Sequence, residues 1–248
     1  MGLKNLLGLR KGDVISIVGA GGKTTLMYSL AEELRDENKV LVTTTTKIYM
    51  PEEEYYDFLI MGKDGYNEFN KGNGVYAHGK SVTNENKVNG LDENVIDGEI
   101  SFFDYVLIEA DGSKRKPIKG WNETEPVLIG KTTKTIGVIS IEVIGREINE
   151  YNVHRVEKFM EITNSKKNES ITIEHLTSLI FHDKGLFKGS KGEKILFINK
   201  IEGYNEATLA YKLLNCIREK NKNCIDKIII GSLKRKEYEL KLESDGVI

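Results

Sequence analysis

Cysteine, proline and tryptophan are scarce in this 248-residue chain, which holds two, three and one of them. Two thiols cannot staple a fold of this length, so a disulfide scaffold is excluded. Cys216 and Cys224 fit no metal-ligand spacing and read as reduced thiols, the first on a helix and the second in a loop. Of the four histidines, His78, His175 and His182 lie far apart without metal spacing and read as structural; no Ser-His-Asp or Cys-His arrangement can be argued. No apolar run approaches the roughly 20 residues that span a bilayer, so no membrane partner is expected. The apolar N-terminus, residues 1–11, is too short for a signal peptide and no small-residue cleavage site follows. Net charge is −2, which leaves no global field to attract nucleic acid or anionic lipid. These absences point to the cytoplasm.

What is present is an α/β pattern. Length allows one domain or two small ones. The hydrophobic fraction of 39% is modest, but a chain this long buries a sizeable core, and 30% charged residues supply a soluble surface. Apolar runs near 14–19, 39–45, 74–78, 104–110, 135–142, 194–199 and 226–231 read as strands. Helical periods near 23–37, 153–163, 172–182 and 205–220 alternate with them. Such alternation argues for a mostly parallel sheet with crossover helices. Residues 61–100 are rich in Gly, Asn, Lys and Asp and suggest a small β-rich insertion. Residues 165–170 form a polar loop, and 233–248 read as an edge strand or a frayed tail. There are no internal repeats, and a single domain over 1–248 is expected.

The most informative run is Val18-Gly19-Ala20-Gly21-Gly22-Lys23-Thr24-Thr25, which follows a strand and opens a helix. Glycines let backbone amides converge on an anion, the helix N-terminus adds positive potential, and Lys neutralises β/γ-phosphates. The hydroxyl of Thr24 is suited to Mg²⁺. The full pattern G-x-x-x-x-G-K-[ST] needs Gly at position 17, where this chain has Ile17. The loop is therefore short and resembles the variant of Mur-type ligases. A Gly-rich turn without a ligand is the bland alternative.

Four further constellations accompany the loop. Residues 103–112 form an apolar strand ending in Glu109-Ala-Asp111-Gly112, whose alternation puts Glu109 and Asp111 on one face. Carboxylates there hold Mg²⁺ in P-loop proteins, and Glu109-x-x-Gly112 mirrors the D-x-x-G element of GTPases. The cations Lys114, Arg115, Lys116 and Lys119 follow at once. They engage phosphates or an anionic substrate, or form a solvated loop, and in either case are a candidate switch that moves with nucleotide state. Asn199-Lys200-Ile201-Glu202 has the layout of the guanine-reading N-K-x-D element, with Glu202 where Asp is expected and Gly231-Ser232 placed to offer an amide. Thr43 to Lys47 end the second strand where open sheets bind ligands, although β-propensity alone also explains threonines. Arg155, after His154, reads equally as an arginine finger or as a structural ion-pair residue.

Taken in order, Val-Gly-Ala-Gly-Gly-Lys-Thr-Thr, Thr-Thr-Thr-Lys-Ile, Glu-Ala-Asp-Gly-Ser-Lys-Arg-Lys-Pro-Ile-Lys, Val-His-Arg and Ile-Asn-Lys resemble the YqeC family from about Gly12 to Ser232. The resemblance implies a nucleotide-dependent accessory role in maturing a selenium-dependent molybdenum hydroxylase. It implies such an enzyme, or a cofactor-maturation protein, as partner, and Glu202 departs from the family pattern.

The residues themselves support a Mg²⁺-nucleotide, GTP or ATP with a lean to GTP, bound by a P-loop NTPase-like fold. Gly19, Ala20, Gly21, Gly22, Lys23, Thr24 and Thr25 are expected to hold phosphates, and Asn199, Lys200 and Glu202 the base. Thr24, Glu109 and Asp111 are the expected metal ligands. Lys23, Glu109, Asp111 and Arg155 are expected to act in a slow hydrolysis. Two readings compete with it. One is a nucleotide-gated binding protein without turnover, the other a small-molecule kinase or ligase. A homo-oligomer stays open.

Overall fold

The computed structural model describes residues 1–62, 68–221 and 223–243. Along the chain, α1 (Leu3–Leu6) precedes β1 (Asp13–Gly19), α2 (Lys23–Leu34), β2 (Lys39–Thr44), β3 (Lys47–Tyr49), β4 (Phe58–Met61) and β5 (Gly74–Gly79). Next come β6 (Ser81–Val82), β7 (Lys87–Asn89), α3 (Glu93–Glu99), β8 (Tyr105–Glu109), β9 (Ile118–Lys119) and β10 (Lys134–Ser140). The last part holds β11 (Val153–His154), α4 (Val156–Thr163), α5 (Ile173–Phe181), β12 (Glu193–Asn199), α6 (Tyr204–Lys220), β13 (Lys227–Ser232) and β14 (Glu237–Glu243).

Nine strands form one sheet in the order β14-β13-β12-β10-β1-β8-β2-β5-β4. Every neighbouring pair is parallel except β13–β14. Strands covered on both faces need apolar side chains at successive positions, and Ile195 to Ile198 and Ile228 to Ile230 supply them. On one face Ile15, Ile17, Val40 and Val42 pack with Leu26 and Leu30 of α2 and with α1. On the other, Val18, Leu196 and Ile198 pack with Phe159, Leu176 and Leu213 of α4, α5 and α6. The protein is thus α/β, a mostly parallel sheet between helices.

All seven expected strands form, within a residue or two at each end. The short loop has a local cause: Ile17 is a fully buried strand residue in register with Glu109, so β1 runs on to Gly19 before the chain turns. The helix expected at 153–163 starts at Val156, because Val153 and His154 pair with Ile118 and Lys119 as β11 and β9. The expected insertion divides. Its 74–79 stretch is β5 of the main sheet, whereas β6 and β7 join β3 in a separate three-stranded sheet; residues 63–67 lie outside the described residues. The tail forms β14 antiparallel to β13, with residues 244–248 again outside the described residues. Among the described residues no helix is long and apolar enough to cross a membrane.

Candidate functional site

The carboxyl ends of β1, β2, β8 and β10 adjoin, and the loops leaving them surround a cleft of about 1730 Å³. Open parallel sheets bind ligands at this edge. The segment Gly19 to Thr25 forms one wall. Gly21 and Gly22 have φ of +86° and +140°, where L side chains are strained. A Cβ on Gly21 would stand 2.5 Å from Ser140 Cβ, and one on Gly22 would stand 2.3 Å from Asn199 Nδ2. The backbone is pressed against the ends of β10 and β12 because no side chain intervenes. Helix α2 starts at Lys23, so its first-turn amides have no intrahelical acceptor. Gly21 to Thr25 line the cleft.

Beneath this turn lies a charge cluster. Lys23 is 3% exposed; its Nζ donates to Gly19 O at 2.8 Å and lies 3.2 Å from Asp111 and 3.5 Å from Glu109. Burial alone disfavours the ammonium, but the two carboxylates overcome that and hold its pKa above the usual lysine value. Thr24 Oγ1 donates to Glu109 Oε2 at 2.7 Å. Glu109 faces the cleft; Asp111 is completely buried. The Gly19 amide donates to both Asp111 oxygens at 3.1 Å, and Lys119 Nζ and Trp121 Nε1 reach Oδ2 at 3.1 and 2.7 Å. A buried carboxylate is tolerated only when its lone pairs are met in this way. Lys119, itself fully buried, continues to Glu125 at 2.8 Å, and Glu125 bonds Arg155 at 2.5 Å. Burial pushes the Glu125 carboxyl up, but Arg155 and Lys119 prevail and hold it down at about 2. Next to this chain His154 falls to about 4, through burial and then through Arg155 and Lys119.

The expected residues therefore sort by position. Gly21, Gly22, Lys23, Thr24, Thr25, Glu109, Arg155 and Lys200 meet in one cleft. Gly19 and Ala20 lie behind it, the Ala20 amide donating to Val138 O at 3.1 Å. Asn199 ties the turn to the next strand: its Nδ2 donates to Gly21 O at 2.8 Å, and its Oδ1 accepts from Leu233 N at 3.1 Å. Lys200 bonds Glu142, and Glu202 lies 3.7 Å from Lys234, away from the cleft lining. Thr44 and Thr45 hydroxyls donate to the carbonyls of Glu109 and Val127. Of the cationic run 114–119, Lys119 points inward, Lys116 bonds the Glu150 carbonyl, and Lys114 and Arg115 line the cleft.

The Lys119–Trp121–Glu125 network under the turn was not expected; the lone tryptophan ten residues beyond Asp111 was the available clue. The β-rich character expected within 61–100 takes the form of β6 and β7; their pairing with β3, which brings Lys47, Tyr49, Ser81 and Lys87 to the far wall, was not foreseen.

Fold and site together define an α/β protein whose turn and helix start bring a lysine, a threonine and a glutamate to the carboxyl edge of a parallel sheet. A family model described as YqeC protein matches residues 15–157. "Uncharacterized protein YqeC" of Escherichia coli (strain K12) is 31% identical over 212 residues, covering 83% of each chain. The chain belongs to the YqeC family. No solved structure matches it. The matched span contains the turn, Glu109, Asp111 and Arg155 and ends before Asn199.

Proposed function

We propose that the chain binds a nucleoside triphosphate with Mg²⁺ and hydrolyses it slowly. The observation that carries this reading is the convergence of Lys23, Thr24 and Glu109 at the N-terminus of α2, under a turn that only glycines can form. Amides from Gly21 to Thr25, the helix dipole and the Lys23 ammonium would hold the phosphates. Thr24 Oγ1 and the Glu109 carboxylate are hard oxygen donors. Among the described residues no group of three or more His, Cys, Asp or Glu is placed to enclose a metal. Two protein oxygens, completed by phosphate and water, suit Mg²⁺. Thr24 and Glu109 would therefore hold the ion, which when bound neutralises charge on the phosphates.

Asp111 keeps the turn and Lys23 in place rather than facing the ligand, and Glu109 is also within reach to orient a water. Arg155 is bound to Glu125; freed from it, the guanidinium would add positive charge as the phosphoryl group departs. That engaged arginine also favours the second reading, a nucleotide-gated binding protein that turns over only with a partner. From the family resemblance the partner would be a selenium-dependent molybdenum hydroxylase or a protein that matures its cofactor. Base choice rests on Asn199-Lys200-x-Glu202 alone, and the inward role of Asn199 weakens the lean to guanine.

Calorimetric titration with Mg²⁺ and the non-hydrolysable analogues of GTP and ATP tests the proposal. One analogue is expected to bind with one site per chain. If neither bound, the triphosphate reading would fail.

A further inference from the structure

The cleft is larger than a nucleotide requires, and its far wall has its own chemistry. Sites for small ligands commonly enclose about 300–1000 Å³, against about 1730 Å³ here. The far wall is built from β3, β7 and the turn 113–117. That turn reaches the glycine segment, since Pro117 O stands 3.1 Å from where a Gly21 Cβ would be. It also reaches the small sheet, since the Arg115 guanidinium lies 3.7 Å from the Tyr49 ring centre. Lys87 Nζ lies 5.2 Å from the same ring and is paired with Glu85 at 2.5 Å. Glu85 is the acidic side chain on this wall.

Three cations of the wall, Lys47, Lys114 and Arg115, are exposed to the cleft and form no ion pair among the described residues. Lys47 and Lys114 do lie near enough to Glu85 to help Lys87 lower its carboxyl pKa, which leaves one carboxylate among four cations. Lys114 and Arg115 also hold consecutive positive φ values of +51° and +60°, a conformation that costs non-glycine residues and that concentrates at binding sites. An arginine braced on an aromatic ring is held ready for a bidentate contact with phosphate.

We propose that Lys47, Lys114 and Arg115 form a second binding site, for a small phosphate-bearing molecule held beside the nucleoside triphosphate. The proposal rests on the nucleotide reading above, because the Lys23 end of the same cleft is assigned to the triphosphate. The concave walls favour a small molecule over a macromolecular surface, and the clustered cations favour multiply charged phosphate over a single carboxylate.

The test is titration of inorganic pyrophosphate, at fixed Mg²⁺, into protein saturated with the bound analogue. Wild type is expected to bind one pyrophosphate. The Lys114→Ala/Arg115→Ala double variant, and independently Lys47→Ala on a different element, are expected to bind it at least tenfold more weakly. Their affinity for the analogue should change less than threefold. No pyrophosphate binding to the loaded protein, or binding unaltered in both variants, overturns the second site. If the analogue itself fails to bind wild type, the nucleotide reading falls separately. The second site is then judged in Lys23→Ala protein with pyrophosphate alone, where loss on adding Lys47→Ala supports it and no loss overturns it.

Discussion

The two walls of the cleft carry similar charges and are built in opposite ways. Under the glycine turn the charges are buried or half-buried and every one is met: Asp111 by Gly19, Lys23, Lys119 and Trp121, and Glu125 by Lys119 and Arg155. Across the cleft, Lys47, Lys114 and Arg115 are exposed and form no ion pair among the described residues. The first wall uses charge to fix a backbone shape. The second leaves charge available, and it gains little stability from it, since exposed ion pairs contribute about 0–1 kcal/mol even when made.

The largest expected effect breaks the first wall. Asp111→Ala takes one of two carboxylate partners from each of the buried Lys23 and Lys119 ammoniums and removes the acceptor of the Gly19 amide. Removing one member of a buried ion cluster typically costs about 3–5 kcal/mol. Urea unfolding is expected to show a loss of that size, a large share of the usual 5–15 kcal/mol total. A loss near 0.5 kcal/mol would mean that the cluster is not what holds the turn. Lys23→Ala comes next and acts on binding: charge-assisted contacts contribute about 1.5–3 kcal/mol. Affinity for the Mg²⁺-nucleotide analogue should fall about 10- to 100-fold, and unchanged affinity would remove Lys23 from the phosphate site.

The contrast also explains what the sequence disclosed. Val14 to Val18, Tyr105 to Ile108 and Ile195 to Ile198 announce themselves because doubly covered strands must be apolar at nearly every position. The glycine turn is legible because few residues can follow so tight a path. Lys119 and Asn199 misled in one common way. A lysine in a basic run and an asparagine in a base-reading layout look outward in sequence, yet both are almost wholly buried, one on Asp111 and the other on Gly21. Side-chain direction depends on contacts 8 and 178 residues away, which no local pattern carries. The small sheet was legible only as a β-rich stretch, without its pairing to β3, because two- and three-residue strands have too few positions to show alternation.

Acid should sharpen the same contrast. His154 has an ordinary pKa of 6.5 and is lowered to about 4 by burial, Arg155 and Lys119. Between those values the unfolded chain binds the extra proton, so stability is full above 6.5 and declines as pH falls toward 4. Glu125 acts in the same direction at lower pH: its contribution is present above 4.5 and is lost as pH falls toward 2. Urea unfolding across this range should show destabilisation beginning near pH 6.5, and His154→Gln should delay its onset to about 4.5. Identical pH profiles for the two proteins would take His154 out of the network.

The smallest effect on stability is expected on the opposite wall, and its sign is informative. Lys114 is exposed, lacks an ion-pair partner among the described residues and sits at φ +51°. Lys114→Gly removes the cost of a side chain in the left-handed region but adds backbone freedom to the unfolded chain. These oppose, so thermal unfolding should move by no more than about 0.5 kcal/mol in either direction, roughly 1–2 °C for a protein of this size. The same substitution should still weaken pyrophosphate binding, because it deletes a cation the fold does not use. A loss of stability above about 1 kcal/mol would show that Lys114 supports the turn, and the wall would then be structural like the one it faces. Stability held while affinity falls is what a residue kept strained for a ligand requires.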